Sequence, residues 1–260
     1  MGTKDRQRAQ ARAKLERQMA RRAEAAKKRR QIIAGIAAVV GLAVLVTGAI
    51  FLVNFLDDDE KDTGKKESAT QDCTYFDPPT AENIKDVGKP PVSGFKRTGT
   101  ATVTIDTNFG PIKFEMDRAL APCTANSWEY LVGKKFFDNT ICPRHSDNII
   151  QCGNPFGTLS GGPSYVYNTE NLPTGMHPSY PTGTVAMAKG QEDPSVGSQF
   201  FIVTQDWDLD PAYTVIGKVT EGLDILETLR ALGNDGSMDP NPGGGAPNQE
   251  IKINTVTIEG

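Results

Sequence analysis

Twenty-five consecutive residues without a charged side chain, Ile32 to Leu56 (IIAGIAAVVGLAVLVTGAIFLVNFL), divide this 260-residue chain in two. As a helix rising 1.5 Å per residue the run reaches roughly 37 Å, enough to cross a hydrocarbon core of about 30 Å with tilt. Arg29 and Arg30 precede it, and Asp57-Asp58-Asp59-Glu60 follow it. The positive-inside rule then puts the N-terminus in the cytoplasm and residues 57–260 outside. A cleaved signal peptide is the alternative, but its apolar run would be about 7–15 residues long and would end at a small-x-small site. Here the run is longer, its lead is basic and long, and VNFLDDDE offers no such site.

The charge follows the same division. Residues 1–30 carry twelve Lys/Arg against three Asp/Glu, the rest sixteen against twenty-nine, so the overall −4 describes neither part. The lead, residues 1–31, is rich in Ala, Arg, Lys and Glu and is predicted helical. Its charge suits membrane topology and anionic lipid, and a nucleic-acid partner is not expected. Beyond the anchor, residues 57–72 are polar and read as a flexible tether, and residues 73–100 as an extended strap.

Cys73, Cys123, Cys142 and Cys152 all lie on the outer side. An even number there reads as two disulfides, and the absence of a CxxC pair speaks against a metal site. If residues 140–144 and 149–152 are strands, alternation puts Cys142 on the face of Arg144 and Cys152 opposite the face of Gln151. That argues against a 142–152 bridge, and the pairing stays open.

From Ala101 the pattern is β-rich. Two alternating segments flank Asn108-Phe109-Gly110 as a hairpin. Short apolar segments follow at Thr140–Cys142, Ile149–Cys152, Thr184–Ala188, Gln199–Thr204, Thr214–Val219 and Ile251–Ile258. Two helices are expected. Thr124 would cap the first, with Trp128, Leu131 and Val132 inward and Gly133 at its end; the second spans Leu223–Leu232. The Gly/Pro-rich Asn234–Gln249 reads as a long flexible loop, and His145 and His177 as ordinary loop residues. Many short strands with two helices argue for a β-barrel or sandwich closed at its ends by helices.

The wording FDNTICPR (Phe137–Arg144), IIQCGNP (Ile149–Pro155), TVAMAK (Thr184–Lys189), GSQFFIVT (Gly197–Thr204) and YTVIGKV (Tyr213–Val219), in that order, resembles the cyclophilin family of peptidyl-prolyl cis-trans isomerases. The resemblance covers about Ala101 to Ile258 and marks residues 101–260 as a cyclophilin-like domain; with the basic lead, anchor and cysteines the chain is similar to the membrane-anchored cyclophilins of high-GC Gram-positive bacteria. It implies a mostly β fold, an eight-stranded antiparallel barrel capped by two helices, with a groove for Xaa-Pro peptides. It implies Arg144 as the catalytic arginine and Ile149, Phe201 and Leu209 as the proline pocket. Gln151 and Gln199 would be the groove glutamines, Ala188, Lys189 and Gly190 the substrate-pairing rim, and Tyr213 would stand for the family's histidine. No cofactor or metal is expected.

Rotation about an Xaa-Pro bond meets a barrier of roughly 18–20 kcal/mol because the nitrogen lone pair is delocalised into the carbonyl. In the twisted state that lone pair returns to nitrogen, where a fixed guanidinium can stabilise it. Alternation puts Gln199 and Phe201 on one face and Phe200 on the other.

Some residues depart from the pattern. Pro143 replaces a histidine and removes a backbone donor. The stretch from Arg144 to Gln151 is one residue short, so Asn148 falls at a pocket phenylalanine's place and the groove should be more polar there. Asp208 stands where a tryptophan is usual, with Trp207 one residue early, which implies weak cyclosporin binding. These changes keep a second reading open, a proline-peptide binding module with little turnover.

Overall fold

Thr100–Thr107 pairs antiparallel with Gly110–Asp117 along its whole length, from Thr100↔Asp117 to Thr107↔Gly110. Val103, Ile105, Ile112, Phe114 and Met116 are buried, the period of two that a half-buried strand requires. The Thr107 hydroxyl closes the turn, donating to the Gly110 carbonyl (2.6 Å) and accepting the Phe109 N–H (3.1 Å).

The structure, a computed structural model, describes residues 72–79 and 82–260. In chain order these form β1 (Ile84–Lys85), β2 (Thr100–Thr107), β3 (Gly110–Asp117), α1 (Pro122–Gly133), β4 (Thr140–Ile141), β5 (Arg144–His145), β6 (Ile149–Cys152), β7 (Gly162–Pro163), β8 (Thr184–Met187), β9 (Phe200–Val203), β10 (Val215–Glu221), α2 (Leu223–Ala231) and β11 (Lys252–Glu259). The expected basic helix, anchor and, apart from Asp72, tether lie outside the described residues. Among the described residues no helix is long and apolar enough to cross a membrane.

The expected eight-stranded barrel is found instead as one curled antiparallel sheet of nine strands, in the order β4-β11-β2-β3-β10-β8-β9-β6-β5, with β1 and β7 paired in parallel beside it. The two edge strands, β4 and β5, are separated in sequence by Cys142 and Pro143 alone, so the sheet must curl until its edges approach. Proline has no N–H to give to a ladder, and Pro143 splits one strand into two short ones.

That break also overturns the argument against a 142–152 bridge. Cys142 and Cys152 are bonded, their Cα atoms 4.1 Å apart. Face alternation holds only along an unbroken strand, and Cys142 belongs to neither β4 nor β5. It turns into the core beside buried Cys152, while Arg144 and Gln151 stay half-buried.

The second disulfide, Cys73–Cys123, ties the strap to the start of α1. The Tyr75 hydroxyl donates to the Cys123 carbonyl (3.0 Å), and the Asn126 amide donates to Tyr75 Oη and the Pro91 carbonyl, both at 2.8 Å.

Helix α1 starts at Pro122 rather than after a Thr124 cap; proline's fixed φ suits a first turn. Thr124 lies inside that turn, and its N–H donates to the Glu170 carboxylate. Burial raises the pKa of that carboxyl although the bond from the Thr124 N–H pulls it down. Trp128 and Leu131 face the core and Val132 is half-buried. The Trp128 ring centroid lies 4.9 Å from Phe200, 5.0 Å from Phe137 and 5.4 Å from Phe114.

His145 is not a loop residue. It is buried on β5, and its Nε2 donates to the Leu229 carbonyl of α2 at 3.1 Å. Burial lowers its pKa below the ordinary histidine value. His177 is exposed and faces the Asp208 carboxylate at 3.3 Å.

Residues 234–249 are likewise not a loose loop. The segment is bonded through its length, from Asp235 N–H to the Ala246 carbonyl (3.0 Å), Met238 N–H to Gly244 (2.9 Å) and Gly243 N–H to Met238 (3.0 Å). Glycine and proline content alone reports only which backbone angles are accessible; bonds among distant residues decide whether they are used.

Candidate active site

Arg144 opens β5 opposite Gln151 of β6, and Gln151 in turn lies opposite Phe201 of β9. These pairings put the three side chains on one face of the sheet. Arg144 Nη1 donates to Gln151 Oε1 (3.0 Å), Gln151 Nε2 to Gln199 Oε1 (3.0 Å), and Gln199 Nε2 to the carbonyls of Leu159 (3.0 Å) and Gly161 (3.2 Å). Both ends fix the direction of this line, since a guanidinium only donates and a carbonyl only accepts.

Two further donors of Arg144 are held by the loop after α2, Nε by the Gly243 carbonyl (3.0 Å) and Nη2 by the Pro242 carbonyl (2.7 Å). A guanidinium has five N–H bonds, so two have no partner among the described residues. Burial is the main influence on Arg144 and lowers its pKa from the ordinary value; arginine's intrinsic basicity nonetheless keeps the group charged.

Beside this line lies an aromatic pocket. Phe201, 3% exposed, packs with Ile149, Ala186, Tyr180 and Val203, and Leu209, Tyr213, Trp207 and Ala188 close over them. The Phe201 ring meets Tyr213 edge-on at 5.5 Å and 86°, with Tyr180 at 6.1 Å and Trp207 at 6.5 Å. Phe200, next in the chain, packs on the opposite side against Trp128 and Phe137.

The ten residues singled out in the sequence line one groove of three bays. Ile149, Gln151, Ala188, Lys189, Phe201, Leu209 and Tyr213 line the middle bay. Gly190 and Gln199 line a second bay that shares Gln151, Ala188 and Lys189 with the first. Arg144 lines the third, with Ser146, Asp147, Asn148 and Asp239. Asn148 therefore stands in a polar bay beside the arginine and not in the apolar pocket. Ala188 N–H donates to the Gln199 carbonyl at 2.9 Å, and Lys189 sits 3.6 Å from the Asp193 carboxylate.

Several groove residues were missed in the sequence. Trp207 lines both the apolar and the arginine bays, while Asp208 turns away to bond the Ser179 hydroxyl (3.0 Å) and N–H (3.2 Å). An indole therefore lines the groove even though Asp208 stands at the family's tryptophan position, and the spacing of Trp207 and Leu209 was the available signal. Tyr180 is fully buried and its hydroxyl takes the Tyr213 N–H at 2.9 Å, fixing that rim residue. Pro242 lines the groove from a segment read as a loose loop, and nothing local to its sequence marks it. Pro78 and Pro79 of the strap border the second bay.

Fold and groove define a curled β-sheet protein that can hold one apolar ring beside a fixed guanidinium. Residues 102–258 match the family described as cyclophilin type peptidyl-prolyl cis-trans isomerase. The chain is 35% identical over 204 residues to "Probable peptidyl-prolyl cis-trans isomerase B" of Mycobacterium leprae, covering 72% of this chain and 66% of that protein. With the Mycobacterium tuberculosis protein of the same name the identity is 32%, covering 72% of this chain and 64% of that protein. The chain thus spans slightly under two thirds of the length of these relatives. A solved cyclophilin type isomerase of Cryptosporidium parvum superposes with a TM-score of 0.54 at 29% identity, covering 62% of this chain and 99% of that one. The same protein has been solved in the presence of the dipeptide Ala-Pro. The chain belongs to the cyclophilin-type peptidyl-prolyl cis-trans isomerase family.

Proposed function

We propose that this protein catalyses rotation about Xaa-Pro bonds of polypeptides, with Arg144 as the catalytic residue. The proline ring enters the pocket of Phe201, Ile149 and Leu209, under the rim formed by Trp207 and Tyr213. The rim Ala188-Lys189-Gly190 pairs with the substrate backbone. With the ring gripped, the preceding carbonyl turns, and the nitrogen becomes a hydrogen-bond acceptor as its lone pair leaves conjugation. One of the two N–H bonds that Arg144 keeps free donates to that nitrogen, stabilising the twisted amide more than either planar form. No bond is made or broken, so the site needs only position and charge. The Ala-Pro dipeptide reported with the Cryptosporidium parvum structure supports a proline ligand here.

The observation that carries this reading is the bonded line Arg144–Gln151–Gln199 beside the Phe201 pocket. It also speaks against the alternative of a binding module without turnover, which needs the pocket but not an oriented guanidinium. The test is proline isomerisation by the full chain and by Arg144→Ala. Removing one preorganised donor should lower kcat/KM by about 10²–10³-fold; an unchanged rate would refute the assignment.

The uncharged run 32–56, the basic lead and the acidic flank support placement of the domain on the outer side of a cell membrane, held by a single-pass anchor. Its clients would be exported or envelope proteins, and the two disulfides, one within the domain and one tying the strap to it, suit that compartment.

A further inference from the structure

We propose that the loop of residues 234–248 is the device that aims Arg144, and that Asp235 is the positioning residue that gives the loop its shape. The inference rests on the reading of Arg144 as the catalytic residue.

The strand that carries Arg144 is poorly supported by its own ladder. β5 is two residues long, and Pro143 just before it has no N–H to donate. The loop supplies what is missing. Gly245 forms a two-way bridge with His145, His145 N–H to Gly245 carbonyl at 2.8 Å and Gly245 N–H to His145 carbonyl at 3.0 Å. The chain just before this bridge folds over the arginine and holds Nε and Nη2 through Gly243 and Pro242. Three points then define the guanidinium plane, two from the loop and one from Gln151.

The loop keeps that shape through one carboxylate oxygen. Asp235 Oδ1 accepts the N–H of Ser237 and of Ala246, both at 3.0 Å, so it joins the outgoing and returning arms. Asp239 Oδ1 makes the next crossing, taking the Gly244 N–H at 2.7 Å. Two glycines serve close approach. A Cβ at Gly245 would stand 2.1 Å from Asp235 Oδ1, and one at Gly244, whose φ is +80°, would stand 2.1 Å from the His145 carbonyl. The apolar side chains that grip the ring, Phe201, Ile149 and Leu209, come from outside the loop, which adds only Pro242 at the border of that bay, so the loop should affect orientation of the arginine more than ligand affinity.

The test measures kcat and KM of the full chain for Asp235→Ala, Asp235→Asn and Gly245→Ala, with Arg144→Ala as reference. Misplacing a catalytic group by about 1 Å costs on the order of 10²-fold. Asp235→Ala and Gly245→Ala should therefore lower kcat by about 10–100-fold with KM within about twofold. Asp235→Asn keeps the accepting oxygen and should recover kcat to within about threefold of wild type. The Arg144 Nε–H, followed by NMR, should exchange with solvent at least about tenfold faster in Asp235→Ala than in wild type. Wild-type kcat in both loop variants overturns the proposal, as does a loss confined to KM or failure of Asp235→Asn to restore kcat. If either loop variant does not fold, the other reports on the same contact from its second partner. Full activity of Arg144→Ala would instead overturn the assignment of Arg144 and leave the bonding of the loop to be read from the exchange rate alone.

Discussion

Gln151 has to accept from a guanidinium at one end and donate to Gln199 at the other, which its amide does with its oxygen and its nitrogen and an ionised carboxylate cannot. Gln151→Glu would place a carboxylate beside Arg144 and strengthen that contact, yet its second oxygen would face Gln199 Oε1. Turning the Gln199 amide only moves the mismatch to the Leu159 and Gly161 carbonyls. Leaving a half-buried acceptor unpaired costs about 1–3 kcal/mol, and with that cost relieved by displacing Arg144 kcat should fall by about 5- to 100-fold. Stopped-flow isomerisation of a proline peptide, with the unfolding midpoint measured in parallel, would separate lost orientation from lost fold. A Gln151→Glu variant with wild-type kcat would show that the relay through Gln199 is not needed.

Among the elements, the two disulfides act on different things. Cys73–Cys123 closes a separation of 50 residues and Cys142–Cys152 one of 10. On chain-entropy grounds they stabilise by about 4 and about 3 kcal/mol. Activity should rank the other way. The short bridge joins the approach to β5 to the end of β6, and so holds Arg144 against Gln151 where Pro143 interrupts the ladder. The long one holds the strap to α1 and touches the groove only through strap residues such as Pro78 and Pro79 at the border of the second bay, away from the arginine. In urea unfolding, Cys73→Ser/Cys123→Ser should lose more stability; in isomerisation, Cys142→Ser/Cys152→Ser should lose more kcat. Equal effects on kcat would mean the short bridge does not hold the arginine strand.

For the molecule as a whole, topology is the consequence of sequence that is most directly measured. In spheroplasts of a bacterial host expressing the full chain, external protease should remove residues 57–260 and spare an N-terminal tag. Protection of the outer part would reverse the orientation argued from Arg29, Arg30 and the Asp57–Glu60 flank. Within the domain, strand alternation made the hairpin at Thr100–Asp117 and the opposed faces of Phe200 and Phe201 legible, because side-chain direction along a strand is local geometry. The family resemblance names ten residues, all of which line the groove. The bond between Cys142 and Cys152, the entry of Trp207 into the groove and the hold of Pro242 and Gly243 on Arg144 were decided only by tertiary structure. Each depends on how a proline break or a turn returns the chain to a distant strand. Such a path is set by bonds between residues far apart in sequence, like Arg144 and Gly243, and local pattern carries no term for them.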